Sequence, residues 1–96
     1  MVYKTVLTSR AELEIEDAVD WYESRQVNLG FRFLEELKSH ILQIAKSPLR
    51  YPKKYNAFRE LQMRKFPFVV IFQLMDTQIV IYSVFNTYRN PANKPS

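Results

Sequence analysis

Three residue types are scarce in this sequence of 96 residues: cysteine is absent, and histidine and glycine occur once each. Without cysteine, neither a disulfide framework nor a thiolate metal site can form, and a reducing compartment is the natural interpretation. Metal sites need clustered histidine, cysteine or carboxylate ligands. With His40 as the single histidine, we expect no metal and no other cofactor. One glycine is too few for a glycine-rich phosphate-binding loop.

Long hydrophobic runs are also missing. The longest apolar stretch covers residues 66–72, far short of the roughly 20 residues that a helix needs to cross a bilayer. The first residues do not combine a long apolar run with a small-residue cleavage site, as a signal peptide would. We therefore expect a cytoplasmic protein without a membrane partner.

Apolar and aromatic residues, in contrast, are plentiful. Hydrophobic residues make up 47% of the sequence and aromatic residues 15%, which is enough for a packed interior. A chain of this length builds one core rather than two. We expect a single domain over residues 1–96, with residues 90–96 as a frayed tail.

Charge is divided unevenly between the two halves of the sequence. Residues 1–45 hold five Lys/Arg against eight Asp/Glu, whereas residues 46–96 hold nine Lys/Arg against two Asp/Glu. Such asymmetry concerns partners and solubility more than fold. A positive second half predicts a macromolecular partner: nucleic acid, a ribonucleoprotein surface or an acidic protein segment.

The first half of the chain reads as one strand followed by two helices. Residues 2–7 predict a short strand, and Ser9 with Glu12 forms a Ser-x-x-Glu capping box at the start of a helix over residues 10–25. Asn28 and Gly30 mark a turn, and apolar residues at helical spacing follow it. This second helix must end near Ser47, because a proline comes next. The two helices predict a helical hairpin.

The second half reads as a loop and three strands. Residues 48–57 form a basic, aromatic loop, and strands are predicted over 58–65, 66–75 and 78–88, the middle one apolar enough to be central. The order is β-α-α-β-β-β. Grouped helices and grouped strands predict an α+β fold, with the helical hairpin on one face of a mainly antiparallel sheet.

The residues that we expect to bind a partner are basic. Lysines and arginines alternate with aromatic residues between positions 50 and 65, a composition suited to phosphates or carboxylates. The alternative is a merely soluble loop and edge strand, with Tyr51 and Phe58 buried. The candidates are Arg50, Lys53, Lys54, Arg59, Arg64, Lys65 and, further on, Arg89.

Two further features invite an ordinary structural interpretation. The acidic residues of the first helix are spread around it, so we expect most of them to form its solvated face. They are Glu12, Glu14, Glu16, Asp17, Asp20 and Glu23. His40 is expected to be a solvated or half-buried helical histidine.

Several motifs occur together in a specific order. The first helix carries Glu14-x-x-x-Ala18-x-x-Trp21-Tyr22-Glu23. The second opens with Leu29-Gly30-x-x-Phe33-x-x-Glu36-Leu37 and closes with Ile44-x-x-Ser47-Pro48-x-x-Tyr51-Pro52. Arg59 precedes the apolar run 66–72, and Tyr88-Arg89-Asn90-Pro91 follows the last strand. Over nearly its full length the chain resembles the RelE/ParE superfamily of bacterial toxins from type II toxin–antitoxin modules, which include plasmid-stabilisation systems.

The resemblance implies one of two activities. RelE-like members cleave messenger RNA in the ribosomal decoding site, whereas ParE-like members share the fold but poison DNA gyrase and lack the catalytic residues. Near Phe68 or Val69, where RelE-like nucleases usually place an arginine, this sequence has none, and we favour the ParE branch, in which the protein is not an enzyme. If it is a ribosome-dependent nuclease, the resemblance points to Arg64, Lys65, Tyr88 and Arg89 as its catalytic residues.

Both branches imply the same protein partner. Each toxin is held inactive in a hetero-oligomer by a small antitoxin, whose C-terminal part wraps around it. A folding-on-binding, partly acidic peptide suits a basic surface with an apolar groove. A degenerate toxin that only binds its antitoxin is the third hypothesis.

Overall fold

The computed structural model describes residues 2–88, so Arg89 and the predicted tail over residues 90–96 lie outside the description. Within the described part, two α-helices and a short 3-10 turn combine with five strands. The helices are α1 (Ser9–Arg25) and α2 (Leu29–Lys46), and the 3-10 turn covers Pro48–Arg50. The strands are β1 (Lys4–Leu7), β2 (Lys53–Tyr55), β3 (Phe58–Gln62), β4 (Phe68–Met75) and β5 (Gln78–Asn86).

The strands form one sheet in the order β1-β5-β4-β3-β2. β1 runs parallel to β5, and the other neighbours are antiparallel. β4 lies at the centre with residues 68–72 all buried, because its alternating side chains enter two different apolar clusters. The helical hairpin and one sheet face share the larger cluster, and Phe58, Val69, Ile71 and Phe85 form the smaller one. The predicted α+β class, hairpin packing and central strand are confirmed.

The helical hairpin is held closely together at its turn. Asn28 adopts a left-handed conformation with φ of 71°, which asparagine tolerates better than most residues. Gly30 follows in the first turn of α2, where an added Cβ would lie 2.6 Å from the Val19 carbonyl oxygen. The Glu23 carboxylate accepts hydrogen bonds from the backbone N–H groups of Asn28 (2.8 Å) and Gly30 (3.0 Å). The predicted end of α2 at Ser47 is confirmed, since Ser47 is its C-cap.

The start of α1 differs from the prediction. Thr8, not Ser9, is the N-cap: its hydroxyl accepts from the Ala11 N–H (3.0 Å) and donates to the Tyr82 carbonyl (2.7 Å). The predicted capping box at Ser9 is therefore wrong by one residue. Thr8 takes the position because one hydroxyl caps the helix and also ties it to β5.

The basic segment 48–57 is not only a loop, as predicted. It contains the 3-10 turn and β2, which pairs with β3 and places Lys53 opposite Arg59. β3 is thus next to the sheet edge and not the edge itself. It ends at Gln62, and β4 starts at Phe68, two residues later than predicted. A three-residue strand is too short to show an alternating pattern, which explains why the sequence did not reveal it.

Within residues 2–88, neither helix is long and apolar enough to span a membrane.

Candidate functional site

A cleft of about 1120 Å³ opens between α1 and the ends of β4 and β5. The segment that precedes β4 closes a third side. Its walls come from three parts of the chain: Arg10, Glu14, Asp17, Ala18, Asp20, Trp21 and Tyr22 of α1 with Leu29 of α2; Lys65, Phe66, Pro67 and Phe68; and Val84, Phe85, Asn86 and Tyr88. The cleft is larger than most small-molecule sites, which occupy about 300–1,000 Å³.

The floor of the cleft is aromatic and tightly packed. The Tyr22 ring lies 4.9 Å from that of Phe66 in an edge-to-face arrangement, and Phe33 packs behind both rings. Trp21 meets Tyr22 edge-on at 5.2 Å and is 53% exposed. Burial, followed by the nearby Tyr88, raises the pKa of Tyr22 above its usual range. Large exposed rings beside a rigid apolar floor are typical of a protein-binding site.

Glu14 joins α1 to β5 along one wall of the cleft. One carboxylate oxygen accepts hydrogen bonds from the Ser83 hydroxyl (2.7 Å) and the Val84 N–H (2.9 Å), and the other pairs with Arg10 at 3.2 Å. Ser83 is fully buried. The prediction that most acidic residues of α1 form its solvated face is confirmed, since all of them except the half-buried Glu14 are exposed, including Glu23 at the helical turn.

Glu36 joins α2 to the segment before β4, whose Lys65 lines the cleft. Its carboxylate accepts from the backbone N–H groups of Arg64 (2.7 Å) and Lys65 (3.1 Å) and lies 3.0 Å from His40 Nε2. Burial acts to raise the pKa of Glu36, but the hydrogen bonds from Lys65, His40 and Arg64 outweigh it and lower that pKa below its usual value. His40 is buried and also contacts Gln43, so the expected solvated or half-buried histidine is wrong.

The predicted site residues fall into two groups. Lys65 and Tyr88 both line the cleft, Arg64 is exposed beside it, and Arg89 lies outside the described residues. Arg50, Lys53 and Lys54 are exposed in the 3-10 turn and β2, away from the cleft. Of the predicted nuclease residues, Lys65 and Tyr88 thus line the same cleft, and the basic residues of the 3-10 turn and β2 lie away from it.

Arg59 has an internal role. It is half-buried, and its guanidinium donates to the Tyr51 carbonyl, which ties β3 to the segment before β2. Tyr51 in turn packs edge-on against Phe72 at 5.8 Å. The burial of Phe58 and the partial burial of Tyr51 match the structural alternative that we considered for this segment.

The sheet face opposite the helices carries a second polar pair. Tyr55 packs near Phe58, with ring centroids 5.7 Å apart. Burial, followed by the hydrogen bond that its hydroxyl donates to the Glu60 carboxylate and by the charge of that carboxylate, raises the pKa of Tyr55 to about 12. This tyrosine therefore stays protonated at neutral pH.

The sequence did not single out several residues of the cleft. Glu14 and Asp17 belong to the acidic run that was interpreted as a solvated face, and Trp21 occurs in the helix 1 motif without being interpreted as a site. Asn86 gave no signal. Among residues 2–88, no group of three or more histidine, aspartate or glutamate side chains is placed to hold a metal ion.

Comparisons with known proteins identify relatives of this fold. The profile of the family described as the ParE toxin of type II toxin–antitoxin systems, parDE, matches residues 5–91. A solved structure described as the chromosomal ParDE TA system from P. aeruginosa aligns with a TM-score of 0.76 at 13% sequence identity, covering 88% of this chain and 96% of that one. At this identity the likeness concerns the fold. No curated protein sequence matches the chain.

Proposed function

The chain belongs to the ParE toxin family of type II toxin–antitoxin systems, and from this membership we propose that it poisons DNA gyrase in the cytoplasm and is neutralised by a cognate antitoxin. In this proposal the toxin acts by binding, needs no cofactor and stabilises the plasmid or locus that encodes it. The residues proposed to bind a partner are Arg50, Lys53, Lys54, Arg59, Arg64, Lys65 and Arg89, of which Arg59 is half-buried and also holds the Tyr51 carbonyl.

The observation that carries the proposal is the charge of the cleft. Glu14, Asp17 and Asp20 face the same space as Arg10 and Lys65, and Arg10 is already paired with Glu14. A phosphodiester held there would meet carboxylates, and like charges brought together cost binding free energy. An RNA-cleaving site needs the opposite: preorganised positive groups around the phosphate.

The central strand supports the same conclusion. Phe68 and Val69 are buried in the two apolar clusters. At these positions, where RelE-like nucleases usually have an arginine, β4 therefore offers no charged side chain. Pro67 has no backbone N–H to donate, and its carbonyl is occupied by the Thr87 N–H and hydroxyl. A gyrase inhibitor needs only a binding surface, which the exposed basic residues of the 3-10 turn and β2 supply.

One observation favours the ribosome-dependent nuclease as second candidate. Lys65 and Tyr88 line the same cleft, and a lysine beside a tyrosine can stabilise charge and transfer a proton during attack by a ribose 2′-OH. In that case Arg64 and Arg89 would complete the site.

Two assays with purified components separate the candidates. The first measures supercoiling by gyrase with toxin added, and we expect inhibition. The second measures codon-dependent cleavage of messenger RNA on translating ribosomes, and we expect none. Cleavage with unaffected supercoiling would contradict the gyrase proposal.

Inducible expression in bacteria tests whether the toxin is active at all. We expect colony counts to fall when the chain is expressed alone and to recover when the antitoxin is co-expressed. Normal growth at good protein levels would leave only the degenerate toxin.

A further inference from the structure

The segment from the end of α2 to the start of β3 carries positive charge and no negative charge. Residues 46–59 contain five Lys/Arg and no Asp/Glu. Four of these basic residues are exposed, and we call them the basic strip: Lys46, Arg50, Lys53 and Lys54. Lys46 and Arg50 line one groove beside Tyr3, and the strip continues from there along the chain into β2.

The charges of the basic strip are not neutralised within the described part of the chain. Among residues 2–88, no salt bridge includes any of its four side chains. Other basic residues do have local partners: Arg10 pairs with Glu14, and the Arg25 guanidinium lies 4.5 Å from the centroid of the Trp21 ring. A group of like charges costs free energy through self-repulsion. A surface that keeps four of them free is therefore suited to an anionic partner.

Ordinary structural roles explain these charges only one at a time. Lysines on an edge strand hinder pairing with other chains, and Lys53 and Lys54 lie on β2 at the edge of the sheet. Lys46 is in the last turn of α2, where the helix dipole favours a cation. These roles do not explain why no acidic residue separates the four charges. A surface that follows a phosphate backbone needs this arrangement.

The aromatic residues of the same segment indicate which kind of anion fits. Tyr51 packs edge-on against Phe72, and Tyr55 packs against Phe58, so both tyrosines are half-buried. Sites for single-stranded nucleic acid need exposed rings on which bases stack, and protein-binding sites centre on aromatic anchors. The segment instead exposes charge and one large apolar residue, Leu49. Charge without stacking is typical of contacts with the backbone of duplex DNA.

We propose that the basic strip binds the phosphate backbone of duplex DNA, namely the DNA segment that gyrase holds when the toxin engages the enzyme. This inference rests on the proposed poisoning of gyrase and adds DNA as a second contact of the toxin. Basic side chains displace the cations condensed on DNA, and the release of these cations favours binding. Since phosphates are the same in every sequence, the strip positions the toxin on DNA without selecting a sequence.

The salt dependence of DNA binding counts the charges that take part. Fluorescence anisotropy measures the affinity of the purified toxin for a labelled duplex of random sequence at several KCl concentrations. Each neutralised phosphate contributes about −0.9 to the slope of log K against log salt, so four contacts predict a slope of roughly −3.6. Failure of the wild-type toxin to bind the duplex at low salt would overturn the proposal.

A pair of matched variants assigns this slope to the strip. Lys53→Gln/Lys54→Gln removes two of its charges, and we expect the slope to become shallower by about 1.8. Arg32→Gln/Lys38→Gln removes the same charge from the exposed face of α2 and should leave the slope nearly unchanged. All four positions are exposed, so thermal melting should be alike for the wild type and both variants. Equal slopes for the two variants would show that the strip is not the binding surface.

A competition experiment distinguishes duplex DNA from other anions. Unlabelled duplex should displace the labelled duplex at a lower concentration of charge than either polyglutamate or one of the separated strands. Displacement by polyglutamate at the same or a lower concentration would identify an acidic protein segment as the partner. Displacement by the single strand at a lower concentration would identify unpaired nucleic acid. Either result overturns the proposal.

Inhibition of gyrase relates the DNA contact to the proposed function. In the supercoiling assay, Lys53→Gln/Lys54→Gln should need at least fivefold more toxin for half-inhibition, and Arg32→Gln/Lys38→Gln less than twofold more. If the strip variant loses DNA binding but inhibits gyrase as the wild type does, the contact with gyrase-held DNA is wrong and the poisoning of gyrase stands. If the wild type binds duplex DNA but leaves supercoiling unaffected, the proposed function fails and the strip remains a DNA-binding surface.

Discussion

Three glutamate side chains accept hydrogen bonds from backbone N–H groups: Glu14, Glu23 and Glu36. Glu14 and Glu36 each bind three polar groups and Glu23 binds two. Each carboxylate joins segments that the turn or the fold must bring together. Hydrogen bonds to a carboxylate are about twice as strong as neutral ones. Replacing one of these glutamates should therefore lower the stability of the fold and disturb the geometry of the cleft.

Glu36→Gln should lower the free energy of unfolding by about 1–3 kcal/mol near pH 7, because the hydrogen bonds of Arg64, Lys65 and His40 lose their charged acceptor. The folded-state pKa of Glu36 is lowered, so its contribution is present above the unfolded-state value and is lost as the pH falls through the folded-state value. The difference between wild type and variant should thus shrink in acid. Urea unfolding across pH measures it.

Glu35→Gln is the matched control for this experiment, since Glu35 is exposed on the same helix. It should change the unfolding free energy by less than about 0.5 kcal/mol. Equal effects of the two substitutions, or a Glu36→Gln difference that does not depend on pH, would contradict the role assigned to Glu36.

Gly30→Ala should destabilise the protein by about 1–3 kcal/mol. Alanine gains up to about 1 kcal/mol in helix propensity, but its Cβ would lie 2.6 Å from the Val19 carbonyl oxygen, a backbone atom. The two helices must separate to admit it. Thermal melting checks this, with Ser39→Ala on the exposed face of α2 as control; a Gly30→Ala variant as stable as wild type would show that the hairpin adapts freely.

Among the elements, β2 depends most on a single side chain. It has three residues and, within residues 2–88, pairs with β3 alone. The bond from Arg59 to the Tyr51 carbonyl anchors the segment before it. Short edge strands limit unwanted pairing with other chains, and the exposed Lys53 and Lys54 assist in this. β2 thus covers the edge of β3, and we expect β2 itself to be only weakly stable.

Arg59→Ala should open this edge without unfolding the domain. We expect amide exchange in residues 48–55 to rise at least tenfold, while exchange in β4 changes little, because local opening needs less free energy than global unfolding. Lys54→Ala, on the same strand but exposed, should leave exchange unchanged. Unaltered exchange in Arg59→Ala would mean that β2 is held by other contacts.

On the scale of the whole molecule, the basic residues of the 3-10 turn and β2 lie away from the cleft, whereas Lys65 shares the cleft with the acidic residues of α1. The cleft rim on α1 is acidic, whereas the exposed residues of the 3-10 turn, β2 and the segment before β4 are basic. Charge complementarity mainly sets association rates and their dependence on salt. Exposed basic residues should therefore guide a partly acidic antitoxin toward the toxin.

Arg64→Ala/Lys65→Ala should slow association with the antitoxin severalfold at low ionic strength and flatten its salt dependence. Arg32→Ala/Lys38→Ala removes the same charge from the exposed face of α2 and should leave the rate nearly unchanged. Stopped-flow mixing at several salt concentrations measures both. Identical association rates for the two variants would show that Arg64 and Lys65 do not guide the antitoxin toward the toxin.

The sequence by itself determined the helices and the central strand. Buried Phe33, Leu37 and Ile44 recur at helical spacing, and residues 68–72 form an unbroken apolar run. Local periodicity was therefore sufficient to predict these elements. The motifs likewise indicated the toxin family, which the family profile confirms over residues 5–91.

Only the tertiary structure decided the site. Glu14 and Glu36 bind groups 69 and 28 residues away in sequence, and no local pattern distinguishes such carboxylates from solvated ones. The cleft exists because β1 ends at Leu7 while β5 continues to Asn86. Periodicity reports which face of an element is buried, but the partners of a polar side chain and the length of a neighbouring strand depend on contacts between distant segments.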